Sequence, residues 1–84
     1  MDPIAKVEAA LDQTARSCLR LIVEGALTAP QYKRLSKWMF GCLNQRFTIR
    51  ARVEQRGVGE LEKVLQFISR ACEDLIEIDN AGQD

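Results

Sequence analysis

Seven cations crowd residues 31–56: Lys33, Arg34, Lys37, Arg46, Arg50, Arg52 and Arg56, against the single acid Glu54. Ammonium and guanidinium groups at this density bind phosphate oxygens, so a polyanion is the partner that suits them, nucleic acid being the commonest. Residues 57–84 reverse the sign. There Glu60, Glu62, Glu73, Asp74, Glu77, Asp79 and Asp84 face only Lys63 and Arg70. The two segments carry +6 and −5, and the first thirty residues bring the net charge to zero. That zero conceals a strongly polarised chain.

Catalytic chemistry is harder to assemble. There is no His, the commonest general base. No Gly-rich phosphate loop occurs, no Ser or Cys nucleophile has a plausible base, and Gly57-Val58-Gly59 is only a turn signal. Three cysteines, Cys18, Cys42 and Cys72, are an odd number without CxxC spacing, which argues against a disulfide framework and a zinc site. Each falls on or beside an apolar stripe, so buried free thiols in a reducing compartment are expected. The expectation is a protein that is not an enzyme and uses no metal or cofactor. No signal peptide is visible and no apolar run approaches the roughly 18 residues of a membrane span. A soluble, cytoplasmic protein with no membrane partner is expected.

The elements that must position these cations are helical. Residues 1–80 read as a single helical domain and 81–84 as a frayed tail. Asp2 before Pro3 is a helix start, and Ile4, Val7, Leu11, Ala15, Cys18 and Ile22 continue it to about residue 24, before Gly25. Thr28 and Pro30 begin a second helix over 30–56, with Tyr32, Leu35, Met39, Cys42 and Leu43 on its apolar face. Within it Phe47, Ile49, Ala51 and Val53 alternate with polar residues as in a strand. No second strand is available to pair with it, so a continuous helix roughly 40 Å long is the better reading. Beyond the glycines, Leu61, Val64, Ile68, Ala71, Leu75 and Ile78 step by three and four along a third helix, 60–79, with Leu65 and Cys72 widening the face. A chain of 84 residues is marginal alone, so oligomerisation is expected.

On a wheel at about 100° per residue, Lys33, Arg34, Lys37, Gly41, Asn44, Gln45, Thr48, Arg52 and Arg56 share a polar arc of roughly 140°. Glu54 lies elsewhere, so the arc carries no acid. Arg46 and Arg50 fall on the apolar side, where long stems can lie over its edge. Cations at both ends of the arc suit phosphates, and Asn44, Gln45 and Thr48 suit sugars or base edges. Tyr32, Trp38, Phe40, Phe47 and Phe67 scatter over helical faces, which points to core packing and not to a platform for single strands. A smooth basic helix suits duplex recognition by shape across the minor groove. No recognition-helix motif points to sequence-specific DNA binding. Glu73, Asp74, Glu77 and Asp79 near the end of the third helix either pair with cations elsewhere or form a solubilising face, the latter being favoured.

One stretch is similar to a known family. Ala29-Pro30 opens a helix, Lys33 and Arg34 follow in the next turns, Cys42-Leu43-Asn44 comes next, and Thr48-Ile49 leads into Arg50 and Arg52. In order and spacing, with one-residue offsets on each side of Cys42-Leu43-Asn44, this resembles the small helical RNA-silencing suppressors of nodaviruses over residues 29–52. The resemblance implies a homodimer forming an antiparallel four-helix bundle. Its two second helices would lie side by side on double-stranded RNA, contacting it without reading sequence and shielding it from dicing and loading. It makes the arginine after Thr48-Ile49 central, either Arg50 or Arg52. Lys33, Arg34, Cys42, Asn44, Gln45 and Arg46 are lesser candidates. The wheel favours Arg52. The acidic last third has no counterpart in the family's pattern.

The combined expectation is an all-α homodimer that binds double-stranded RNA, as a viral suppressor of silencing in the host cytoplasm. The alternative is a small helical interaction module, a chaperone or regulator, whose basic arc meets an acidic protein surface.

Overall fold

The computed structural model describes residues 2–81. They form three helices: α1 (Pro3–Glu24), α2 (Ala29–Arg56) and α3 (Gly59–Ala81). No strand occurs among the described residues. Each boundary has a local cause. The Asp2 carboxylate accepts from the Ile4 amide at 3.0 Å, and Pro3 sits in the first turn, where no amide partner is needed. Thr28 and Gln31 form a reciprocal capping box at the start of α2. At its end Gly57 has φ +94°, a backbone conformation that L side chains rarely adopt.

Phe47 to Val53 is helical, although it alternates like a strand. Leu35, Cys42 and Ile49 recur every seven residues and are all fully buried, and only a helix puts them on one side. α3 runs further than expected, taking in Asn80 and Ala81; the rest of the expected tail, residues 82–84, lies outside the described residues.

The helices run up, down and up. Val7, Leu11 and Ala15 of α1 pack with Cys42 and Ile49 of α2 and Val64 of α3. Cys18, Leu35 and Ile78 form a second cluster towards the other end. Burying side chains such as Leu11, Leu35 and Ile49 contributes about 1.5–3 kcal/mol each. The molecule measures 44 × 17 × 17 Å, close to the length of α2 itself. The seam of α3 is used within the chain: Val64, Ala71 and Ile78 are buried, with Leu61, Ile68 and Leu75 packed beside them.

Two expectations about packing are corrected. Leu65 does not widen the buried face of α3 and is half exposed. Three of the aromatic residues are not core residues either. Trp38 and Phe67 meet edge to face at 5.2 Å, but Tyr32, Phe40 and Phe47 are 54%, 65% and 85% exposed. α1 and α3 take up the far side of α2, and neither covers its outward side.

Candidate nucleic-acid interface

Because α2 is flanked on two sides, its cations divide into three groups. Arg46 and Arg50 turn towards α1. Arg46 donates to Glu8 at 2.8 Å and to Asp12 at 3.2 Å; Arg50 donates to Glu8 at 2.8 Å and to Asp2 at 3.3 Å. Glu8 is buried, and it stays there because two guanidinium groups share it. By accepting from Arg50, Glu8 first and then Asp2 raise the Arg50 pKa above its ordinary value. These two arginines are the pair that the wheel set apart from the polar arc.

Arg34, Arg52 and Arg56 turn towards α3. Arg34 makes an ion pair with Asp74, donating from Nε at 3.1 Å. The same carboxylate accepts from Trp38 Nε1 at 2.7 Å. Arg52 donates to Glu60 at 3.1 Å and to the Gln45 side-chain oxygen. Arg56 approaches Glu60 at 3.7 Å, and Lys63 lies 2.9 Å from it. Hydrogen bonds from Lys63, then Arg52, hold the Glu60 carboxyl below its ordinary pKa, although it is almost enclosed. Of the acids near the end of α3, Asp74 is paired, while Glu73, Glu77 and Asp79 have no ion-pair partner among the described residues.

Lys33 and Lys37 form the third group. Both are exposed, without an ion pair among the described residues, and Asn44 is exposed in line with them. Thr48 is half-buried and donates to the Asn44 carbonyl at 3.1 Å. Gly41 faces α3, where a Cβ would stand 2.7 Å from the Phe67 ring. Cys42 is inside the core, not on the surface, and burial pushes its thiol, like that of Cys18, up to about 11. Lys33, Lys37 and Asn44 are thus freely presented; Arg34, Arg52 and Arg56 border them, each engaged by an acid of α3. A cleft of about 350 Å³ lies along that border, lined by Arg34, Lys37, Trp38, Gly41, Phe67 and Asp74.

The sequence reading missed one surface. Phe40, Leu43 and Phe47 form an exposed apolar seam beside the lysines, and Leu19 and Val23 of α1 are exposed as well. A shallow groove lined by Asp12, Ala15, Arg16, Leu19, Met39 and Leu43 joins the two helices there. The signal was the seven-residue step from Phe40 to Phe47, a repeat offset from that of Leu35, Cys42 and Ile49.

Among the described residues no cluster of potential metal ligands occurs, and no helix is long and apolar enough to cross a membrane. No family model matches the chain, and no curated protein or solved structure does.

Proposed function

We propose that this chain is a binding protein, not a catalyst, that holds double-stranded RNA without reading its sequence, and that it suppresses RNA silencing by shielding the duplex. The observation that carries this reading is the outward strip of α2. Lys33, Lys37 and Asn44 stand free, Arg34, Arg52 and Arg56 flank them, and no acid occurs on the helix before Glu54. The lysines and arginines of such a strip meet phosphates without regard to sequence, and Asn44 is placed to reach a 2′-hydroxyl.

The active form in this reading is an antiparallel homodimer. A two-fold axis between Leu43 and Asn44 would lay Phe40 of one copy on Phe47 of the other and bring Lys33 towards Glu54. The apolar seam is then covered by itself. The basic strips of both copies lie side by side, and Leu19 and Val23 extend the contact through α1.

Gel shifts with duplex RNA, duplex DNA and single strands of equal length test the function. Duplex RNA is expected to bind best, with affinity falling steeply as salt rises. Substituting both Lys33→Ala and Lys37→Ala should flatten the logarithmic salt dependence by about two per protomer, about four for the dimer, without loss of helix content. Absence of duplex RNA binding at low salt sinks the reading.

The exposed phenylalanines also favour a second reading, a module that clasps a helical protein partner and presents its basic arc to an acidic surface. Recovery of one stoichiometric protein that survives nuclease treatment would support it.

A further inference from the structure

We propose that α3 is a built-in competitor for the nucleic-acid site: the carboxylates of Glu60 and Asp74 occupy the arginines that a phosphate backbone would take. The inference rests on the RNA-binding reading and adds its regulation.

The geometry is specific. Of the five cations on the polar arc, three are engaged by acids of α3 and, among the described residues, by acids of no other helix. Asp74 pairs with Arg34, and Glu60 holds Arg52 at 3.1 Å and reaches Arg56 at 3.7 Å. The two acids sit fourteen residues apart on α3, and the arginines they hold eighteen apart on α2. The pairing therefore brackets the middle of the strip, where Phe67 packs against Gly41. The other α3 acids do not take part: Glu62 and Glu73 are exposed and have no ion-pair partner among the described residues. α3 thus places two of its acids where phosphate would bind and leaves the others to solvent.

A carboxylate presents the same acceptor geometry to a guanidinium as a phosphate does. Binding a duplex then exchanges one anion for another on Arg34 and Arg52, leaving Glu60 with Lys63 and Asp74 with Trp38 and, for the rest, with water. The affinity of the whole chain is lower than its cation count implies. Part of the salt dependence is lost as well, because the released carboxylates take up cations while the RNA gives them off.

The test compares two double variants of the full chain with equal change in net charge. Glu60→Gln with Asp74→Asn removes the competing carboxylates; Glu62→Gln with Glu73→Gln removes two that engage nothing. Asp74→Asn alone, which keeps an acceptor for Trp38, serves if the Glu60 variant does not fold. The first pair should tighten duplex RNA binding by about tenfold or more, the size of one charge-assisted hydrogen bond. It should also steepen the logarithmic salt slope by up to about two per protomer. The second pair should move affinity by no more than about twofold. Equal effects from the two pairs overturn the proposal, since only net charge would then matter. The same series against long-chain inorganic polyphosphate separates this idea from the RNA reading. Selective tightening on polyphosphate with no binding of duplex RNA upholds the competitor and rejects the RNA function. RNA binding unaffected by Glu60 and Asp74 does the reverse.

Discussion

Glu60 condenses much of the molecule's electrostatics into one side chain. Three cations surround it, and Lys63 and Arg52 depress its pKa below the ordinary 4.5. A carboxylate that is more acidic folded than unfolded stabilises the fold at every pH above its unfolded value. That contribution is lost as pH falls from about 4.5 through the folded value. Chemical denaturation at a series of pH values should therefore show a decline below pH 4.5 that is smaller in Glu60→Gln. The thiols offer a second check at this scale. Cys18 and Cys42 are buried with pKa values near 11, so they present little thiolate, whereas Cys72 is partly accessible. A maleimide or disulfide reagent is expected to label Cys72 alone in the native chain and all three cysteines after unfolding. That the three thiols are free and that Cys18 and Cys42 are buried was legible from their stripe positions; Cys72, expected to be buried as well, is only partly so. That Glu60 collects three cations was not, because its partners come from two helices whose relative rotation no local pattern encodes.

At the scale of the helix, α2 and α3 depend on a close approach at Gly41. An alanine there gains about 1 kcal/mol of helix propensity, but its Cβ would lie 2.7 Å from a Phe67 ring already pressed edge-on to Trp38. Overpacking costs about 1–3 kcal/mol. Gly41→Ala should thus destabilise the chain by about 1 kcal/mol net, and adding Phe67→Leu should recover much of that; paired urea denaturation curves measure both. The helices themselves were plain in the sequence, through Asp2-Pro3, Thr28 and Gly57 and through the seven-residue recurrence of buried positions. The alternation at Phe47–Val53 was misleading only in isolation, since Ile49 continues the series begun by Leu35 and Cys42. The covered face was read correctly from Leu35 and Cys42; what stayed hidden was that a second apolar face is left open. α2 carries two apolar repeats, Leu35-Cys42-Ile49 and Phe40-Leu43-Phe47, and periodicity alone does not say that a chain of three helices covers only one of them. The observed packing covers the first and leaves the second open.

At the scale of the whole molecule, the charge separation along the sequence becomes charge adjacency in space. The basic segment lies between an α1 that, with its cap Asp2, supplies Glu8 and Asp12 and an α3 that supplies Glu60 and Asp74. The seven-cation block is reduced to a strip whose members without an ion pair among the described residues are Lys33 and Lys37. The open seam beside that strip carries the prediction at this scale. Phe47 is 85% exposed, so Phe47→Asp should cost the isolated fold little. In the proposed dimer the same change places a charge against Phe40 of the second copy. Sedimentation equilibrium should then find the wild type dimeric at micromolar concentration and the variant monomeric with unchanged helicity. A wild type that stays monomeric throughout would reject the dimer.

An odd number of antiparallel helices has a practical corollary. Pro3 and Ala81 lie at opposite ends of a 44 Å rod. When two such rods lie head to foot, the finish of each sits beside the start of the other. A short polar linker could then join two copies in tandem, making the assembly independent of concentration. Each face of α2 could afterwards be altered in one half at a time.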